Sequence, residues 1–299
     1  MTSSGLTAHV QVTLASPVWL PRALPLLADV EQARWARLRR PIDRDADLPR
    51  HLLARLVLGR RLGMHPAALH FTRDCPTCAQ PHGKPRLAAA RLCFNLSGTA
   101  SRPSPGATEQ GLVAVAVVTD VSRERQDHAS SERQDRRVGR NEFAVNDAHD
   151  VGIDLETVAS TRFEDFDEVA LHGLERAELE AMPHGSRAAS RATWWARKEA
   201  LVKALGDGLR IDPATIATTA PAAASDGSRL SPRLLEPYRW PHLALADLHV
   251  AGLQDAHVRV GALEPAERVV GAVCVLGVDR VRVTVEPGLD LARDLEPYV

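Results

Sequence analysis

VGIDLE, Val151 to Glu156, and WWARKEALVKAL, Trp194 to Leu205, are the two stretches on which the reading of this 299-residue chain turns. In the first, apolar and polar residues alternate, so a strand is expected. Val151, Ile153 and Leu155 then face one way, and Gly152, Asp154 and Glu156 face the other. The two carboxylates would stand about 7 Å apart on one face. In water that is harmless; in a cleft each raises the other's pKa unless a cation sits between them. Mg²⁺ favours a few hard oxygen ligands together with substrate phosphates, and this pair could supply them. On spacing alone, a solvent-facing polar strand is the simpler reading.

The second stretch has helical spacing. Trp194, Trp195, Leu201, Val202 and Leu205 fall within an arc of about 120°. Glu199 and Lys203, four residues apart, lie side by side just beyond its edge. Taken alone, they describe a surface ion pair. Lys198 lies inside the apolar arc, where an ammonium must snorkel out, find a buried anion or lose its proton. A local rule broken in this way points to function. Asp154, Glu156 and Glu199, with Lys84, Lys198, Lys203 and Arg50, could together hold a metal-bound polyphosphate.

Outward from these stretches, helices are expected over 24 to 40 and 50 to 62, the second ending at Gly63. Pro41 and Pro49 punctuate the stretch between them. Arg50, Arg55, Arg60 and Arg61 make the second helix basic, with a solvated face as their ordinary use. An extended piece follows at 92 to 96 and an apolar strand at 111 to 118. Residues 122 to 148 change character: they are charged, nearly repeat ERQD, and hold too little apolar surface to offset their ordering entropy. They are read as a disordered insertion between an N-terminal half (1–121) and a C-terminal half (149–299). The latter continues with helices over 163 to 182 and 190 to 205 and a flexible loop over 221 to 232. Strands are expected at 245 to 250, 257 to 260, 269 to 276 and 281 to 285. The class is α+β.

The composition is 44% apolar and 25% charged, with a net charge of −1. That balance excludes a chain built as a whole to grip nucleic acid or an anionic membrane. The opening residues lack a basic stretch followed by an apolar one, and the longest apolar run, 112 to 118, is too short to span a bilayer. A cytoplasmic protein is expected. Of its four cysteines, Cys75 and Cys78 have C-x-x-C spacing with His70 and His82 nearby. A structural zinc commonly takes two such pairs and no second pair exists, so a loop with free thiols is preferred.

Taken together and in this order, G-I-D-L-E and W-A-R-K-E-A-L-V-K, the latter ending in Gly206-Asp-Gly208-Leu209, resemble the two-part signature of the 4′-phosphopantetheinyl transferases. Gly83-Lys84-Pro85 and Phe94-Asn95-Leu96-Ser97 are similar to patterns in that family's first half, and Arg50 matches a helix that supplies a phosphate-binding arginine. The resemblance spans roughly residues 24 to 285, apart from the insertion. The length suggests the larger Sfp-type class, monomers of two similar α+β halves with coenzyme A in the cleft between them.

The resemblance implies transfer of phosphopantetheine from coenzyme A to a serine of an apo acyl or peptidyl carrier protein, with release of 3′,5′-ADP. Such carriers serve polyketide, non-ribosomal peptide and fatty acid synthesis. It assigns Mg²⁺ to Asp154, Glu156 and Glu199, the general base to Glu199, and the departing phosphate to Lys203. Arg50, Lys84, Pro85, Asn95, Ser97, Lys198 and Lys203 would hold coenzyme A. One departure stands out: where the family usually has His after the Phe-Asn-Leu-Ser turn, this chain has Gly98. The alternative is therefore a catalytically weakened coenzyme A-binding homologue with a regulatory role. A metal-dependent phosphohydrolase and an interaction protein built around the insertion are further rivals.

Overall fold

The computed structural model describes residues 6–75, 78, 80–87, 92–99, 111–123, 150–206, 211–218, 243–248 and 269–299. Most of the expected insertion, the 221 to 232 loop and the 257 to 260 strand lie outside them; Ser122 and Arg123 end a strand.

The chain is α+β, organised on two main sheets. The first has the order β4-β5-β1-β9, from Phe94–Gly98, Val113–Arg123, Leu6–Ala15 and Arg280–Leu289. β1 is antiparallel to β5 and parallel to β9. The second sheet has the order β6-β8-β7, from Val151–Thr157, Val269–Leu276 and Leu243–Leu248, all antiparallel. A small hairpin joins β2 (Phe71–Thr72) to β3 (Arg86–Leu87).

β5 is buried on both faces, which is why its sequence is a continuous apolar run rather than an alternation. Val113, Val115 and Val117 pack under α2 (Pro41–Leu62) with Leu48, Leu52, Leu56 and Phe94. Ala114, Ala116 and Val118 face the other way, onto Val151, Ile153, Leu155, Val273 and Val275 of the second sheet. Each buried leucine on α2 contributes about 1.5–3 kcal/mol of transfer free energy.

Several boundaries differ from expectation, each for a physical reason. The first helix, expected over 24 to 40, is α1, Asp29–Ala36, preceded by a 3-10 turn at Pro21–Leu26 that contains Pro25. α2 begins nine residues before Arg50 because Pro41 occupies the first helical turn, where a missing N–H costs nothing. Its C-terminus at Gly63, with φ 65°, is as expected. The 163 to 182 region is two helices, α3 (Phe166–Ala170) and α4 (Gly173–Ala181), and the signature helix is α5, His184–Leu205. β1 was not expected, although Ala8, Val10, Val12 and Leu14 alternate onto the core. β9 and the closing helix α6 (Leu291–Leu295) return to the first sheet, with Leu291 and Leu295 in the α2 core. The C-terminal stretch thus completes both sheets.

Candidate functional site

β6 and α5 build one wall of the site. A Cβ at Gly152 would lie 1.9 Å from the Ala200 carbonyl oxygen and 2.5 Å from the Ala204 nitrogen. Strand and helix are therefore in backbone contact, and only glycine fits the strand position. Ala196, Ala200 and Ala204 form the small ridge of α5 that makes this approach possible. Side chains beside the contact must then meet. Lys203 pairs with Asp154 Oδ1, and the Trp195 indole N–H donates to Glu156 Oε1 at 3.2 Å. Trp195, Glu199 and Lys203, spaced i, i+4, i+8, thus form a row over the polar face of β6.

The free edge of β6 is closed by the β4 side chains. Asn95 Oδ1 accepts from the Ile153 amide at 3.1 Å, and Ser97 Oγ from the Leu155 amide at 3.1 Å. The Ser97 hydroxyl donates to Asp154 Oδ1 at 3.0 Å. Both groups expected to hold coenzyme A are thereby also the clasp between the sheets, with Asn95 still lining the cleft described next.

That cleft has a volume of about 370 Å³. Arg50, Lys84, Pro85, Asn95, Glu199 and Lys203, all expected at the site, line it. So do Arg34, His51, Arg73 and His82, of which His82 alone was noted, and then only beside the thiols. Arg50 and Arg73 each keep a buried Nε with no hydrogen-bond partner among the described residues. Burial, with the Arg34 cation, lowers Arg73 to about 10 against the pull of Glu31 and Asp47. At Asp47, burial pushes the carboxyl up, but His51 and Arg50 outweigh it and hold it well below the usual range. Buried guanidinium N–H groups without acceptors are costly, and their natural partner is an anion in the cleft. These positions were missed because they come from α1, α2 and the loop after β2, with no shared local pattern.

Three expected residues have other surroundings. Lys84 lines the cleft, but its ammonium is bound by Asp150 Oδ1 and the Val151 carbonyl, each at 2.5 Å. Burial lowers its pKa while Asp150 opposes. Lys198 does not line the cleft. Its side chain is buried and paired with Glu175 at 2.6 Å, and it donates to the Ala170 and Pro213 carbonyls. Glu175 also accepts from the His172 and Thr218 amides and the Thr218 hydroxyl. Of the three fates open to a lysine in an apolar arc, Lys198 has found a buried anion, and it pins α4 to α5. Arg55 is not solvated either: it is fully buried, paired with Glu31, and bonded to the Pro66 and Leu69 carbonyls.

The carboxylates suit a divalent cation. Asp154 Oδ2 is buried without a hydrogen-bond partner among the described residues. Burial raises the pKa of Asp154, Glu156 and Glu199, and the Asp154 charge adds to the last two. Glu156 reaches about 7 despite its hydrogen bonds from Ser160 and Trp195. Such a set is short of positive charge, which a hard cation supplies. Among the described residues, the only trio with ligand atoms all within 4.8 Å of one another is Cys75, Cys78 and His82, so the three carboxylates are not drawn together around a point.

Residues 150–251 match the profile of the 4′-phosphopantetheinyl transferase superfamily. That segment holds β6, α5 and the carboxylate row. Two solved structures from Chronobacterium ammoniagenes are similar to the chain: an apo-ACPS structure and an ACPS–CoA complex. The first is 22% identical over 43% of this chain and 96% of its own, with a TM-score of 0.30. The second is 23% identical over 44% and 99%, with a TM-score of 0.26. No curated protein matches the chain significantly. No helix among the described residues is long and apolar enough to cross a membrane.

Proposed function

We propose that this chain transfers the 4′-phosphopantetheine arm of coenzyme A to a serine hydroxyl of an apo acyl or peptidyl carrier protein, releasing 3′,5′-ADP. One observation carries the reading: a single cleft joins Arg34, Arg50 and Arg73 to Glu199 and Lys203 of the superfamily segment. Coenzyme A has a 3′-phosphate at one end of its nucleotide and a pyrophosphate at the other, which calls for cations at two separated places.

Phosphoryl transfer is mostly positioning and charge stabilisation. Arg50 and Arg73 offer the buried donors that a nucleotide phosphate needs, and Lys84 fixes the cleft wall by holding Asp150 and the start of β6. Asp154, Glu156 and Glu199 are the residues that would hold Mg²⁺. When bound, that ion would neutralise charge on the pyrophosphate. Glu199, lifted by burial above an ordinary glutamate, is suited to accept the serine proton. Lys203, already paired with Asp154, would donate to the departing phosphate.

The test is intact-mass spectrometry of an apo carrier protein incubated with this chain, coenzyme A and Mg²⁺, with Glu199→Ala and EDTA alongside. The expected result is a mass gain of one phosphopantetheine arm, lost in both controls. Gly98, at the end of β4 opposite Val113, offers no side chain to a phosphate. Coenzyme A binding without transfer to any carrier type would replace the reading with a weakened, regulatory homologue. Hydrolysis of coenzyme A without an acceptor would indicate a phosphohydrolase.

A further inference from the structure

The thiols expected to be free have a third partner. Cys78 Sγ lies 3.0 Å from His82 Nε2, and Cys75, Cys78 and His82 bring one ligand atom each within 4.8 Å of the other two. Four-coordinate zinc with Zn–S about 2.3 Å and Zn–N about 2.0–2.1 Å places its ligand atoms about 3.5–3.8 Å apart, so this spacing needs only a small adjustment. The ligand set is chemically selective as well. Two thiolates and an imidazole suit a borderline-soft ion such as Zn²⁺ and disfavour Mg²⁺ or Ca²⁺.

The backbone around the trio is already closed. The Cys75 and His82 amides both donate to the Gln80 carbonyl, at 3.0 and 2.8 Å. The Gly83 amide donates to the Arg73 carbonyl at 2.7 Å, and a Cβ at Gly83 would lie 2.5 Å from the Asp74 carbonyl oxygen. The loop between β2 and β3 therefore leaves and returns in backbone contact, holding Cys75 and His82 at fixed separation.

We propose that Cys75, Cys78 and His82 bind one zinc-class cation, with solvent in the fourth position. Cys78 and His82 are exposed, which leaves that position on the water side. The ion would clamp the loop whose two ends carry Arg73 and Lys84 into the cleft. Binding requires both cysteines as thiolates, so each thiol gives up its proton to solvent as its sulfur–metal bond forms. The missing second cysteine pair, which argued against zinc in the sequence, is made good in part by His82, four residues beyond Cys78.

The test uses the full chain, reduced and stripped of metal, then titrated with Zn²⁺ or Co²⁺ alone. The expected result is one equivalent bound per chain, a tetrahedral thiolate–cobalt spectrum, and a higher Tm with zinc. Cys78→Ser and His82→Ala change exposed residues, so their circular dichroism should match wild type while the cobalt spectrum and the zinc-dependent Tm rise are lost. The proposal is overturned if reduced, folded protein binds no stoichiometric ion. It is equally overturned if both variants bind as wild type does, or if the thiols form a Cys75–Cys78 disulfide that zinc cannot prevent under mild reduction. None of these outcomes depends on transferase activity, so the carrier-protein reading stands or falls separately.

Discussion

The two walls of the cleft are built on opposite logic. The wall from α1, α2 and the β2–β3 loop gathers Arg34, Arg50, His51 and Arg73, with spare buried N–H donors. The wall from α5 brings Glu199 and Lys203 to the cleft; behind it Lys203 pairs with Asp154, which keeps a spare buried carboxylate oxygen, and Glu156 lines a separate depression beside Trp195. On the first side the cations outnumber the buried Asp47 and Glu31 that pair with them, and on the second three carboxylates share one ammonium. A ligand that brings phosphate to the first and a metal-bound pyrophosphate to the second relieves both deficits, whereas an isolated phosphate or metal relieves only one. The contrast can be broken experimentally, because substitutions on the two walls should fail in different parameters.

The largest effect is expected on the carboxylate wall. Glu199→Ala should lower kcat by about 10²–10⁴-fold, the usual weight of a general base, while coenzyme A binding changes little. Single-turnover transfer measured beside isothermal titration with coenzyme A checks this. A variant that keeps its rate would remove Glu199 from the chemistry.

Lys198 comes next, and its effect belongs to the fold. Lys198→Met leaves Glu175 charged and buried without its ion partner, which costs about 3–5 kcal/mol. Chemical denaturation should show that loss, and Lys198→Met with Glu175→Gln should recover part of it. Coenzyme A affinity in the folded fraction should stay at the wild-type value. An unchanged stability with weakened coenzyme A binding would return Lys198 to the site.

On the arginine wall, Arg73→Ala removes a charged donor from a nucleotide phosphate, worth about 1.5–3 kcal/mol. The Kd for coenzyme A should rise roughly tenfold to a hundredfold with kcat nearly unchanged. Dephospho-coenzyme A, which lacks the 3′-phosphate, should lose most of that difference. If wild type and Arg73→Ala discriminate the two ligands equally, the arginine wall binds something else.

The same contrast explains what the sequence disclosed. The carboxylate wall is local: Gly152, Asp154 and Glu156 share one face of a strand, and Glu199 and Lys203 one face of a helix. Period-two and period-3.6 patterns therefore locate them without any structure. The arginine wall is assembled from three elements far apart in sequence, and each arginine alone looks like an ordinary surface residue. Arg50 was legible only through resemblance, and Arg34 and Arg73 were not legible at all. Lys198 was legible as an anomaly but not in its meaning, because its partner Glu175 sits 23 residues away on α4. β1 was overlooked although its alternation is regular. The continuous run of β5 was read correctly as a central strand, and its burial on both faces is the reason.

The smallest effect is a pH dependence that joins the carboxylate wall to its cation. Glu156 titrates at about 7 in the metal-free protein, above its ordinary 4.5, chiefly because burial penalises the charged form and the Asp154 charge repels it. A raised carboxyl binds its proton more tightly folded than unfolded. Its contribution to stability is therefore complete below about 4.5 and is lost as pH rises through 7. Mg²⁺ reverses that trend, since it requires the carboxylate and competes with the proton. The Tm increase from saturating Mg²⁺ should be larger at pH 8 than at pH 6, by about 1 kcal/mol or roughly 1–3 °C in a chain of this length. Differential scanning fluorimetry at both pH values, with and without Mg²⁺, reads it directly. Glu156→Gln keeps one carbonyl acceptor, enough for Trp195 or Ser160 but not both in the present arrangement, and cannot ionise, so it should flatten the pH dependence contributed by this residue. A magnesium response equal at pH 6 and pH 8 in the wild type would mean that Glu156 does not meet the ion, and the carboxylate wall would then hold its cation through Asp154 and Glu199 alone.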